Sequence, residues 1–228
     1  GISAAGVIDN INMEVIRAAP TIKNYVGTNF KKDFGDRLGV DVYVDNDVNC
    51  ALLGEQWLGG AKGLDEVFCM ALGTGIGGAY YLNSLPFGSN FGVGEIGASV
   101  YDVETDTTYE QRASTIALDR KIKAEMYDGL SVIEFFDLCK REDTNALKIL
   151  DEWLYEVARG IVNLLCILDP KYIVIGGAVS AQGDYLLNKL EAKVRELHPI
   201  KINKTKFLAA SLGNDAALYG AISPFVKK

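Results

Sequence analysis

The chain has 228 residues, of which 49% are hydrophobic and 23% charged, and its formal net charge is −7. That balance can bury a sizeable core in one large domain or two small ones. The acidic surplus argues against a nucleic-acid surface, which needs clustered Lys and Arg, while a small phosphorylated ligand stays open because backbone amides can hold phosphate.

Val40–Val44 (VDVYV) reads as a buried strand rich in β-branched residues, ending at Asp45-Asn46-Asp47. Ala51–Leu58 reads as a helix. Val67–Leu72 (VFCMAL) is a second buried strand that runs straight into Gly73-Thr74-Gly75-Ile76-Gly77-Gly78. Ala79–Leu82 resumes as a strand, with Asn83-Ser84 as its turn. From Ala146 to Leu168 apolar residues recur at helical spacing, and Pro170 marks the end of that helix. Tyr172–Ile175 is a third buried strand, ending in Gly176-Gly177, and a final helix follows Gly213-Asn214-Asp215. Residues 20–35 and 128–145 carry no chemical motif. Gly1–Asp9 begins without the partners a sheet needs, as in a chain cut inside a fold. Strands alternating with helices predict an α/β architecture.

Cys50, Cys69, Cys139 and Cys166 form no C-x-x-C pair, so neither a zinc ribbon nor a redox pair is suggested. Cys69 and Cys166 sit in apolar runs and read as reduced core residues, which points to the cytoplasm. The longest apolar run is far below the roughly 20 residues of a membrane span. No basic segment leads an apolar stretch at the start of the chain, so no signal peptide is read there. His198, before Pro199, reads as a surface or capping residue.

Three sites invite chemistry. Asp45-Asn46-Asp47 at a strand end could supply a carboxylate that accepts a hydroxyl proton; it reads equally as a helix N-cap. The glycine cluster at 73–78 could admit phosphate to backbone N–H groups, with Thr74 adding a hydroxyl; a plain hairpin turn explains it as well. It matches neither a P-loop nor a dinucleotide-binding fingerprint. Gly176-Gly177 after a strand could let a nucleotide approach the backbone, or could simply pack closely. Glu95, inside a glycine-rich loop, has a solvated surface charge as its plain reading.

Taken together, these pieces resemble the ROK family of sugar kinases. Asp45-Asn46-Asp47-Val48-Asn49-Cys50-Ala51 with Gly54-Glu55 is similar to its NDxNxAxxGE stretch. Leu72–Gly78 is similar to its LGTGIGG loop, Gly94–Gly97 to the start of GEIGH, Ile173–Gly177 to its adenosine motif, and Gly213–Ala221 to its C-terminal helix. The matches come in order and span nearly the whole chain.

The resemblance implies an actin-like ATPase, RNase H-like fold of two lobes with a cleft between them, the first lobe incomplete. Residues 1–45 and 213–228 would form what remains of the smaller lobe, and 46–212 the larger one. It implies transfer of the γ-phosphoryl of ATP, with Mg²⁺, to a hexose or hexoside hydroxyl, by expectation the 6-hydroxyl. Asp47 would be the general base. Asn46, Glu95 and Glu110 would bind sugar. Gly73, Thr74 and Gly75 would contact phosphate, and Gly176 and Gly177 the nucleoside. A homodimer is implied as well, beside the expectations of a cytoplasmic location and of no membrane or nucleic-acid partner that cysteines, apolar runs and charge already give.

Three departures stand out. The histidine of GEIGH is Ala98 here. The cysteine-rich zinc loop has no counterpart: no Cys or His lies between Ala98 and Glu110, so no zinc is expected. The DxGGT motif is absent, so this stretch by itself is expected to be inactive. Loss of the histidine and zinc loop is similar to the family's β-glucoside kinases. The alternatives are the sugar-sensing domain of a ROK repressor, against which the Asn46-Asp47 pair argues, and another kinase of the wider actin-like group, against which Glu95 and Glu110 argue.

Overall fold

The computed structural model describes residues 1–19, 22–86, 88–201 and 204–226, the side chain of Tyr101 excepted. The chain opens with β1 (Ile2–Ala4), β2 (Val7–Asp9) and β3 (Glu14–Arg17), then a π-helical turn at Lys31–Gly35 that runs into α1 (Asp36–Leu38). Next come β4 (Val44–Asn46), α2 (Asp47–Leu58), β5 (Val67–Leu72) and β6 (Ile76–Tyr81). A 3-10 turn at Ile96–Ala98 precedes β7 (Val100–Asp102), β8 (Thr107–Thr108), α3 (Tyr109–Ala113), α4 (Thr115–Glu125), α5 (Val132–Lys140) and α6 (Thr144–Leu168). The last elements are β9 (Tyr172–Gly176), a 3-10 turn at Ala178–Gln182, α7 (Asp184–Leu197), β10 (Lys206–Ala209), a 3-10 turn at Gly213–Asp215 and α8 (Ala216–Val226).

These elements form two compact units. One holds residues 1–69, 78–94 and 210–228; the other holds 70–77 and 95–209. The lobe boundary expected at residues 45/46 falls inside the first unit.

In the first unit β1 and β4 pair in parallel, Ile2 opposite Val44 and Ala4 opposite Asn46. The opening residues therefore do find strand partners, contrary to expectation: β1 in β4, and β2 in an antiparallel pair with β3. The strand read at Val40–Val44 is displaced to Val44–Asn46. Pairing with β1 reaches only that far, and Val40 is 54% exposed whereas Val44 is fully buried. Ala4, Ile8, Val15, Phe30 and Val44 form the core beneath. Helix α2 starts four residues earlier than the apolar pattern suggested, because the Asn46 side chain accepts from Val48 N and Asn49 N and caps it. It packs on α8 at glycine contacts. A Cβ on Gly54 would lie 2.0 Å from Ala216 O, and one on Gly220 would lie 1.6 Å from Cys50 O. Only glycine permits that approach.

In the second unit α6 is the central post. Asp143 caps it by accepting from Ala146 N, and Asp169 closes it in the left-handed region. Its buried stripe includes Ile149, Leu150, Trp153, Leu154, Val157, Ile161 and Leu165. Helix α3 is fastened to this post. Tyr109 OH donates to Val157 O at 2.7 Å, and Trp153 Nε1 donates to Ala113 O at 3.0 Å. The four-stranded sheet has the order β10-β9-β5-β6, with β10 parallel to β9; β9 and β10 lie in this unit, while β5 and β6 run across its divisions at residues 69/70 and 77/78.

Two further readings change. Cys166, placed in the core by its apolar neighbours, lies on the outer side of α6 and is exposed, while Cys50, Cys69 and Cys139 are buried thiols. His198 is not a surface residue: it is 4% exposed. It does cap, since its backbone N–H closes α7 on Val194 O and its Nδ1 accepts from Ile200 N at 3.0 Å.

Candidate active site

The site residues read from the sequence divide between the two units, and each set is built within its own unit. In the first, the corner between β4 and α2 presents Asp45, Asn46 and Asp47. Strand alternation turns Asp45 inward, where it is 1% exposed. Its Oδ1 accepts from Asn46 N (2.7 Å) and Asn49 Nδ2 (2.8 Å), and its Oδ2 from Tyr43 OH (2.8 Å) and Asn10 Nδ2 (3.0 Å). Four donors saturate this carboxylate, as burial of a charge requires.

Asn46 is also engaged. Besides capping α2 through Oδ1, it donates from Nδ2 to Gly6 O at 3.0 Å. Its side chain is also a hydrogen-bond partner of the Asp47 carboxylate. Asp47 is different: it occupies the first helical position, not the cap, its Oδ1 accepts from the adjacent Val48 N at 2.9 Å, and the residue is exposed. The cap explanation thus belongs to Asn46, and Asp47 keeps an open face. Burial nonetheless lifts its pKa, partly offset by Val48 N–H, its own N–H and Asn46. Solvent at the open face screens that rise. The Asp47 charge is felt at Tyr25, whose hydroxyl is pushed up first by burial and then by Asp47.

In the second unit the glycine cluster is a tight loop of three residues, Gly73–Gly75, because Gly77 and Gly78 already belong to β6. Gly73 N donates to Gly75 O at 3.0 Å, closing the turn. The N–H groups of Thr74 and Gly75 make no hydrogen bond among the described residues, and Thr74 is exposed. Successive unbonded amides of this kind suit an anion. The α3–α4 corner grips the loop at both ends. Thr115 N and Thr115 Oγ1 donate to Gly73 O at 2.9 and 2.7 Å. Glu110 Oε2 accepts from Ile76 N at 3.2 Å.

Gly176 is buried at the end of β9, and Gly177 follows with φ 87°, a conformation that favours glycine. A Cβ on Gly177 would lie 2.2 Å from Leu72 O, so it packs against the residue that leads into the loop. Beyond it a cavity of about 340 Å³ opens between α4, α5 and the 178–182 turn. Ile116, Val132, Ile133, Phe136 and Val179 line it, with Thr115, Asp119 and Gln182 at polar positions. Its size and apolar walls suit a flat heterocycle.

The second unit therefore brings Gly73, Thr74, Gly75, Glu110 and Gly177 around one loop. Glu95 is an exposed residue heading the 96–98 turn. Sequence reading missed Asp45 as the buried organiser, Tyr25 near Asp47, and Thr115 with the cavity wall. Ser114, the N-cap of α4, is a residue type that starts helices, but nothing in the sequence shows that Thr115 after it also reaches Gly73.

The α/β architecture is that of the actin-like ATPase fold class, as the likeness to a solved ROK kinase shows. Residues 1–228 match the ROK family throughout, and the chain belongs to that family. A glucokinase of Thermotoga maritima is 28% identical over 246 residues, covering 98% of this chain and 77% of the relative. A β-glucoside kinase of Listeria monocytogenes is 27% identical over 236 residues, covering 100% of this chain and 79% of the relative. A ROK family glucokinase from Streptomyces griseus, solved in complex with glucose and AMPPNP, aligns with a TM-score of 0.84 at 28% identity, covering 97% of this chain and 79% of that one.

Proposed function

We propose that the protein is an ATP-dependent sugar kinase that phosphorylates a hexose or hexoside, at the 6-hydroxyl by expectation. The observation that carries this reading is the Gly73–Gly75 loop, with the amides of Thr74 and Gly75 unbonded, next to the cavity beyond Gly177. The loop suits the phosphates, and the cavity suits the adenine. The glucokinase solved with glucose and AMPPNP supports the same reading.

In this reading the sugar hydroxyl oxygen attacks the γ-phosphorus in line, and the bond to the β,γ-bridging oxygen breaks to leave ADP. Asp47 takes the hydroxyl proton, having a lone pair open to solvent and no capping duty. Thr74 and Gly75 amides would take up phosphate charge. Asn46, beside Asp47, and Glu95, exposed on its turn, would contact sugar hydroxyls. Mg²⁺ would neutralise the triphosphate. Among the described residues no group of three or more His, Cys, Asp or Glu could hold a metal ion. Mg²⁺ commonly keeps several waters beside phosphate oxygens and one or two carboxylates; no bound zinc is proposed, because no Cys or His lies between Ala98 and Glu110.

The test is ATP-dependent phosphorylation by the full-length protein across hexoses and β-glucosides, with elemental analysis of the same preparation. Turnover with at least one sugar and less than one zinc per chain is expected. Sugar binding with no turnover on any acceptor would return the sensor reading.

A further inference from the structure

Glu110 is read from the sequence as a sugar ligand, yet its observed contact is with the glycine loop. Its Oε2 accepts from Ile76 N at 3.2 Å, and the same oxygen lies 2.6 Å from where a Cβ on Gly75 would stand and 3.2 Å from one on Gly97. Gly97 itself packs on Ile76: a Cβ there would lie 2.1 Å from Ile76 O. One carboxylate oxygen thus sits where the glycine loop and the 94–97 segment meet.

The residue is held rigidly at that point. Thr108 N donates to Gln111 Oε1 at 2.8 Å at the start of its helix, and Tyr109 and Trp153 tie the two ends of that helix to α6. Glu110 O also accepts from Ser114 N, one residue before Thr115 grips Gly73. A charge-assisted bond from a clamped carboxylate to a loop amide fixes the loop more firmly than a neutral acceptor would. With Ile76 N directed to Glu110, the Thr74 and Gly75 amides are the donors left unbonded.

We propose that Glu110 is a positioning residue of the phosphate loop, so that nucleotide affinity depends on a side chain otherwise assigned to the sugar. Its other oxygen, Oε1, makes no hydrogen bond among the described residues and remains available to a sugar hydroxyl. One carboxylate then touches both substrates' sites, and what orders it for one favours the other, reciprocally. This rests on the kinase reading above.

The experiment is the affinity of the full-length protein for AMPPNP, without sugar, by calorimetry. Wild type is compared with Glu110→Ala, Glu110→Gln and Glu110→Asp. Glu110→Ala should weaken AMPPNP binding about tenfold, in keeping with loss of a hydrogen bond to a charged group. Glu110→Gln keeps an oxygen for Ile76 N and should stay within about threefold. Glu110→Asp, one methylene short, should behave like Ala and serves if the alanine variant does not fold. Unchanged AMPPNP affinity in a folded Ala or Asp variant overturns the proposal and leaves the kinase reading standing. Failure of wild type to bind AMPPNP overturns both.

Discussion

The β4–α2 corner and the glycine loop solve opposite problems. At the corner, side chains are the polar groups, and nearly all are satisfied internally: Asp45 takes four hydrogen bonds, and Asn46 caps a helix while donating to Gly6. Asp47 alone keeps an open face. At the loop the backbone is the polar group, and side chains from α3 and α4 hold its ends while the middle amides stay unbonded. Rigid surroundings with one unsatisfied member are what preorganised sites share, because fixed donors and acceptors need not reorganise when charge arrives. The difference is that a carboxylate can move a proton, and an amide can only stabilise charge.

The largest effect expected is at Asp47. Asp47→Asn keeps the shape and removes the base, so kcat should fall by about 10²–10⁴, or roughly 3–5 kcal/mol, with sugar KM much less changed. Activity should fail on acidification at a pH above the ordinary carboxylate value of 3.8, since burial raises this pKa. The stability effect has the opposite sign. A raised folded-state pKa gives stability that is full below the unfolded value and lost as pH rises through the raised one. Removing that ionisation should leave the neutral-pH Tm unchanged or higher. A folded variant with near-normal kcat would make Asp47 an ordinary first-turn carboxylate.

Asp45 should show the converse, a stability effect first. Asp45→Ala strands the donors of Tyr43, Asn10, Asn46 and Asn49 and should cost about 3 kcal/mol. Denaturant unfolding measures it. A loss below about 1 kcal/mol would mean that water replaces the carboxylate and that the corner is not built on it.

The smallest effect belongs to the loop. Thr115→Val removes the Oγ1 bond to Gly73 O but leaves the backbone bond. ATP KM should rise about fivefold, the equivalent of roughly 1 kcal/mol, with sugar KM unmoved. Equal rises in both constants would show that the loop does not act on the nucleotide alone.

Much of this was legible along the chain. The strand Val67–Leu72 and the helix from residue 146 to Leu168 were readable because unbroken apolar runs and helical periodicity are local signals, and both elements are nearly as read. Glycine clusters at 73–78 and 176–177 announced close backbone approaches for the same reason: a missing Cβ is written in the residue itself. Partners were not legible. Whether Val40–Val44 or Val44–Asn46 forms the strand depends on where β1 lies beside it. Whether Asn46 or Asp47 caps α2 depends on a dihedral angle at Asn46 that the Asp45 bonds help set. Cys166 and His198 exchanged inside for outside because burial is decided by the elements that pack against a face, not by neighbours in sequence. Glu110 is the sharpest case. Its residue type and motif pointed to a sugar, but only folding brings it within 3.2 Å of Ile76 N, 34 residues away in sequence. Hydrogen bonds of that range follow from packing geometry, which no local pattern encodes.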